Sequence, residues 1–325
     1  MRRLTLISAG ILVAQFGLAL TLFVNSSGHA SFQPKKPLLT FDASAVDRID
    51  IDESGAGSVS LTRSGGSWAL PSLAGFPADD GQVMAFLAKL SSLKRGWAAA
   101  TSAEAAQRFK VAEDSHERRI ILRKGETAVQ EILLGTSPTF HHVYARVGKD
   151  PNIYTLPFTT YDVGTRGEDW MRRDVLNIPD DRIASLAIGD LRFERKDGRY
   201  VLDGLAEGEK QKDDEVYRLV ATAAHPLFEG VRGKGRDALA KLDEPDIQVS
   251  VKTTDGAEIV LKYKKESEGD AYLFSSSASD YLLRTSEAMI EPLIKAKREM
   301  LVEARHDGKG AEAKGQTAPA SASGG

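Results

Sequence analysis

The sequence carries one stretch twice, and that duplication limits the folds open to it more than any other feature. Residues 63–90, RSGGSWALPSLAGFPADDGQVMAFLAKL, read as a strand end, a Gly-Gly turn, a short strand bearing Trp68, a Pro/Gly loop and an amphipathic helix. About 130 residues later the same order returns in residues 195–220, RKDGRYVLDGLAEGEKQKDDEVYRLV. Arg63, Gly66, Trp68 and Leu70 meet Arg195, Gly198, Tyr200 and Leu202 at one constant offset, and Asp79-Asp80 meets Asp213-Asp214 after a short slip. Self-similarity at such a spacing points to two tandem copies of one unit.

Around this repeat the strands follow from alternation of apolar and polar residues. In residues 38–176 the strand patterns are 46–51, 58–63, 67–70, 118–123, 129–134, 142–147 and 152–156. The Gly65-Gly66 turn joins two of them as a hairpin. A helix starts at Asp79, with Gln82 placed to complete a capping box, and Val83, Phe86, Leu87, Leu90 and Leu93 form its apolar face. Residues 177–304 repeat the scheme: strands at 183–188, 191–196, 199–203, 247–252, 258–263, 271–276 and 281–284, and a helix carrying Val216, Leu219, Val220 and Ala223. Runs of antiparallel strands with one main helix per copy predict an α+β fold. Residues 285–304 read as a final helix with Met289, Ile290, Leu293, Ile294, Met300 and Leu301 on one stripe, and residues 305–325 as a low-complexity, disordered tail.

The N-terminus reads as a membrane anchor. Residues 4–24 hold no charge, and as a helix would span roughly 31 Å, the thickness of a bilayer core. Arg2 and Arg3 precede the span and the next basic residues are Lys35 and Lys36, which places the N-terminus in the cytoplasm and the rest outside. A cleaved signal peptide ending near Gly28-His29-Ala30 is the rival reading, disfavoured by the length of the apolar run. Residues 25–37 form a polar spacer.

Composition excludes several chemistries. The 325 residues include no cysteine, so disulfides, thiolate metal sites and a cysteine nucleophile are out. A net charge of −3 gives no electrostatic footprint for nucleic acid. His141-His142 is the one concentrated metal-capable run, but adjacent strand residues face opposite sides and no third ligand stands nearby, so no metal or cofactor is expected. Both Asp-Asp pairs sit at helix starts, where a carboxylate is favoured as an anion, the wrong direction for a general acid, so capping is the expected role. No Ser/His/Asp set can be nominated, and no catalytic residue is expected. Gly230 to Arg236, GVRGKGR, lacks the Gly-Lys-Ser/Thr of a phosphate loop and reads as a flexible solvated loop. Its cations Arg232, Lys234 and Arg236 are nonetheless the candidate contacts for an anion or lipid headgroup. Trp170 is expected to bury against the sheet, with Arg172 and Arg173 pairing locally.

Trp68-x-Leu70 after its Gly turn, the helix opened by Asp79-Asp80, Leu134-Gly135 before Tyr144-Ala145-Arg146, and Trp170-x-Arg172-Arg173-x-x-Leu176 together resemble the DUF4340 family. The likeness runs from about Leu38 to Ala304. A Tyr-Gly-Leu-x-x-Pro segment frequent in the family survives only as Leu242 and Pro245, and the first copy has Phe109-Lys110-Val111 there. The resemblance implies an extracytoplasmic domain of a protein anchored in the bacterial inner membrane, in a family sometimes found with ABC-type transport components related to gliding-motility auxiliaries. The expectation is therefore a single-pass, periplasm-facing accessory or binding protein with protein partners in the envelope. The terminal stripe would be the docking element, and an envelope hydrolase acting on glycan or lipid is the alternative.

Overall fold

The computed structural model describes residues 36–304, together with Gln15. The segments read as anchor and tail, and nearly all of the spacer, lie outside the described residues. Among the described residues no helix is long and apolar enough to cross a membrane. The fold is mixed α and β, with several antiparallel sheets and few helices. Its contacts divide between Arg173 and Asp174 into two compact units.

In the first unit nine strands form one sheet: β1 (Arg48–Glu53), β2 (Gly57–Ser64), β3 (Ser67–Leu70), β4 (Phe76–Pro77), β5 (Ala98–Ala100), β8 (Arg118–Lys124), β9 (Thr127–Leu134), β10 (Val143–Val147) and β11 (Ile153–Leu156). Their spatial order is β4-β3-β2-β1-β8-β9-β10-β11-β5. A small hairpin, β6 (Val111–Ala112) and β7 (Ser115–His116), stands apart. Ile49, Ile51, Val59, Leu61, Ile120, Leu122, Ile132 and Leu134 are all buried, as the period-2 pattern requires when one face is dry. Helix α1 (Asp80–Ser92) buries Val83, Phe86, Leu87 and Leu90. Trp170 meets Phe86 edge-on at 5.3 Å and donates its indole N–H to the Gly164 carbonyl at 3.0 Å, so the polar end of this buried ring is satisfied. Arg173 bonds the Glu168 carbonyl at 2.7 Å, the local pairing expected of it.

The other face of the sheet carries a second, smaller core. Helix α2 (Ala103–Arg108) and β6 close over β9 and β11, and Ala105, Val111, Leu133 and Ile153 pack together there. Phe109 stacks on Tyr144 at 3.9 Å to seal it. Gly135 is required at this seam: a Cβ there would lie 2.0 Å from the Phe109 carbonyl oxygen.

The sheet of the second unit holds eight strands: β12 (Ile183–Ile188), β13 (Leu191–Lys196), β14 (Arg199–Leu202), β16 (Gly230–Lys234), β17 (Ile247–Thr253), β18 (Glu258–Lys265), β19 (Ala271–Ser276) and β20 (Tyr281–Ser286). Their order is β14-β13-β12-β17-β18-β19-β20-β16. Set beside the first sheet without β4, the two orders correspond strand for strand. Helix α3 (Asp213–Ala224) buries Val216, Leu219, Val220 and Ala223, the predicted stripe.

The structure corrects several sequence expectations. Residues 285–304 are not one helix. Strand β20 runs to Ser286, a 3-10 turn covers Glu287–Ile290, and two single turns follow, α5 (Glu291–Ile294) and α6 (Arg298–Leu301). Pro292 sets the break: it lacks an N–H and belongs in a first turn, which is where α5 places it. The chain then ends as β21 (Val302–Ala304) against β15 (Glu209–Gln211). The stretch Gly230–Arg236 is not a loop: it is the edge strand β16, followed by α4 (Arg236–Leu239). Gly233 serves packing, since a Cβ there would stand 2.8 Å from the Ala238 Cβ, and Gly235 takes the left-handed region at φ 81°. Asp79 caps α1 as expected, accepting the Gln82 N–H at 2.9 Å, but Gln82 turns its side-chain amide to the Asp169 carbonyl and no box forms. Lys212, not Asp213, is the cap residue of α3, and it supplies no side-chain bond. His142 precedes β10 in a turn, with His141 at φ 56°.

Candidate functional site

The sequence nominated two surfaces, and the structure treats them differently. Of the terminal stripe, Ile290, Leu293 and Leu301 are buried, Met289 and Ile294 are half-buried, and Met300 stays 50% exposed. The segment lies against α3, leaving a groove of 190 Å³ lined by Glu215, Arg218, Pro292, Lys295 and Met300 among others. Most of the stripe is thus core of its own unit, and Met300 is the apolar side chain it leaves exposed.

The three candidate cations also separate. Arg232 sits exposed at the bulge where β16 slips register against β20. Lys234 is engaged: its ammonium bonds the Tyr281 hydroxyl at 3.2 Å, lies over that ring and stands 3.8 Å from Asp280. The Tyr281 bond and charge raise its pKa above the ordinary lysine value. Arg236, by contrast, lines a concave pocket of 730 Å³ with Lys262.

That pocket is built by the sheet. In β18 the residues Leu261 and Tyr263 point to the main core, so Val260 and Lys262 face the other side. Ser275 lies directly opposite Lys262 in the ladder, and Ser277 follows on the same side. The segment from Gly235 to Asp243, including α4 and the turn around Leu242, forms the opposite wall. Leu242 is buried and anchors this wall. Ser277 accepts the Val260 N–H through its hydroxyl oxygen at 2.9 Å, and Ser279 accepts the Tyr281 N–H at 3.3 Å. Each hydroxyl therefore keeps its own hydrogen for a further acceptor. Asp243 and Asp280 stand at the exposed rim. The sequence reading reached Arg236 but missed Lys262 and Ser275, which only strand register brings beside it.

A second pocket, of 370 Å³, opens where α3 meets β14. Arg195, Arg199, Tyr200, Gln211, Asp213 and Tyr217 line it, with Asp180 and Asp214. Gln211 stitches its floor, accepting the Leu202 N–H at 2.9 Å while its amide reaches the Tyr200 carbonyl and Asp213. The Nε of Arg195 is buried without a partner among the described residues. Burial raises the pKa of the Tyr200 phenol, with Asp180 adding to the effect. Asp213 and Asp214 occupy the first turn of α3.

Two polar pairings lay beyond sequence reasoning. His116 is buried and its Nε2 meets Asp52 at 2.7 Å, with Nδ1 lacking a partner among the described residues. Asp50 collects Ser60, Arg48 and Arg123 at 2.6–2.7 Å. Burial works against its charge, but these three bonds outweigh that and hold its pKa below the ordinary carboxylate value. Among the described residues no group of three or more His, Asp or Glu is placed to hold a metal ion.

A family model, described as a domain of unknown function (DUF4340), matches residues 68–245. That span takes in most of the duplicated stretch, α1 to α3, and the wall of the larger pocket. No curated protein and no solved structure matches the chain.

Proposed function

The chain belongs to the DUF4340 family, and from that premise we propose that it is a non-enzymatic, membrane-anchored extracytoplasmic binding protein serving an ABC-type transport system. In this reading two copies of one sheet-and-helix unit follow an anchor at residues 4–24, and the second copy receives the ligand. One observation carries it: where Leu133, Phe109 and Val111 fill the outer face of the first sheet, the matching face of the second is open. A duplicated scaffold with one copy packed shut and the other opened into a polar pocket is the form expected of a binding subunit. The uncharged run of residues 4–24, led by Arg2 and Arg3, supports the anchor and its orientation.

The test is a mild-detergent pull-down of the full chain from its own membranes, with a version lacking residues 1–37 as control. Recovery of a transporter complex in fixed stoichiometry is the expected result. Recovery of the protein alone would overturn the accessory role.

A further inference from the structure

Strand register places the two outer faces in correspondence. Leu133 of β9 lies opposite Arg146 of β10, and at the equivalent rung Lys262 of β18 lies opposite Ser275 of β19. On the covering wall, the first unit brings Ala105 and Phe109 to its cluster, and the second brings Arg236 to the pocket. A buried alkyl group, Leu133, gives way to the ammonium of Lys262, and Arg146, whose guanidinium is spent on the Val111 and Gly148 carbonyls, gives way to Ser275. These changes convert a dry cluster into a cavity rimmed by hydrogen-bond donors.

From this juxtaposition we propose that the pocket between Lys262 and Arg236 binds a phosphate-type anion, the group being either free or carried on a lipid headgroup. The inference deepens the binding role above and rests on the same pocket, though not on the transporter association. Neither cation has an ion-pair partner among the described residues, whereas nearby Lys234 is occupied by Tyr281 and Asp280. An unneutralised guanidinium and ammonium facing one cavity make a strong site for a multiply charged oxyanion. Ser275 stands across the ladder from Lys262, and the Ser277 hydroxyl, whose oxygen accepts from Val260, keeps its O–H to donate. The donor set is therefore cationic groups plus hydroxyls, the complement of an acceptor-only ligand. Of the two rim carboxylates, Asp280 is drawn toward Lys234 at 3.8 Å, leaving Asp243 as the single opposing charge against two cations.

The experiment uses the full chain in phosphatidylcholine nanodiscs at constant ionic strength, titrated by calorimetry with inorganic phosphate and, separately, with glycerol phosphate as a headgroup mimic. Saturable binding of at least one is expected. Tighter binding of glycerol phosphate assigns the headgroup as source, and tighter binding of inorganic phosphate assigns the free anion. Lys262→Met and Arg236→Ala should each weaken binding by about tenfold or more, the loss usual for a charge-assisted bond. Because Arg236 is exposed on α4, its variant keeps the fold even if the Lys262 change perturbs β18. Arg232→Ala, outside the pocket, should leave binding unchanged. No saturable binding of either anion, or binding that survives both pocket changes, would overturn the proposal. Phosphate binding without a recovered transporter complex would leave this site standing and remove only the accessory role. A recovered complex without anion binding would do the reverse.

Discussion

The outer face of the first sheet and the outer face of the second share a strand order and differ in what fills them. On the first, Ala105, Val111, Leu133 and Ile153 exclude water, and the Phe109–Tyr144 stack closes the cluster. On the second, Lys262 and Ser275 look into a pocket of 730 Å³. The strand order beneath them is equivalent, while the covers differ: α2 and the β6–β7 hairpin over the first face, α4 and a 3-10 turn beside the second. A sheet face needs no new strand order to become a site: a lysine stands on the rung where the first sheet buries Leu133, and the wall beside it carries Arg236.

The comparison can be broken most forcefully by exchanging its central residue. Leu133→Lys should destabilise the first unit by about 4 kcal/mol or more, since a buried ammonium there would have no partner; chemical denaturation followed by Trp fluorescence measures it. A small effect would mean the cluster is looser than its burial implies.

A second contrast lies in the ionic face around Asp50, whose equivalent rung in the second unit holds Ala187. Asp50→Ala should cost about 2–3 kcal/mol at neutral pH, because two arginines and a serine lose their acceptor. The sign with pH follows from the depressed folded pKa. The contribution is complete well above the unfolded value of about 3.9 and is lost as pH falls through the folded one. The cost of Asp50→Ala should therefore vanish in acid. Hydrogen exchange should show strands β1 and β8 opening before β12 and β17 on acidification.

The helix starts differ as well. Asp79→Ala should cost about 1 kcal/mol, whereas Lys212→Asp, which supplies the cap α3 lacks, should return about 1 kcal/mol; thermal melts read both. A smaller effect is expected at Tyr263, whose hydroxyl is buried without a partner among the described residues where the first unit has Leu134. Tyr263→Phe should stabilise by up to about 1 kcal/mol.

Much of this architecture was legible because alternation and turn residues are local signals. Ile183–Ile188, Leu191–Lys196 and Ala271–Ser276 begin and end where period-2 patterning puts them. The strands missed are those with no pattern to read. Ala98–Ala100 is all alanine, and Gly230–Lys234 has glycine at two of five positions, so both are set by the neighbour they pair with. The terminal helix failed for the opposite reason. Its apolar spacing was genuine, yet Pro292 and the pull of β21 onto β15 prevailed over periodicity. The pocket was half legible. Arg236 stood out among glycines, but Lys262 sits in an ordinary charged strand, and its meaning comes only from the register that sets it against Ser275. Carrying the repeat beyond α1, so that Leu133 meets Lys262, was the signal that would have exposed it.

The bulged strand β16 has a bearing on how this protein survives at high local density. The edge of a sheet offers unpaired N–H and C=O groups to any passing strand, and it invites sheet-to-sheet aggregation when long, flat and apolar. Here the edge is five residues with two glycines, a register slip at Arg232, and charged Arg232 and Lys234. The first sheet ends on the two-residue β4, which contains Pro77, and on the three-residue β5. Each of these three borders is thus short, kinked, charged or unable to donate, and chains crowded side by side would find a poor template along them.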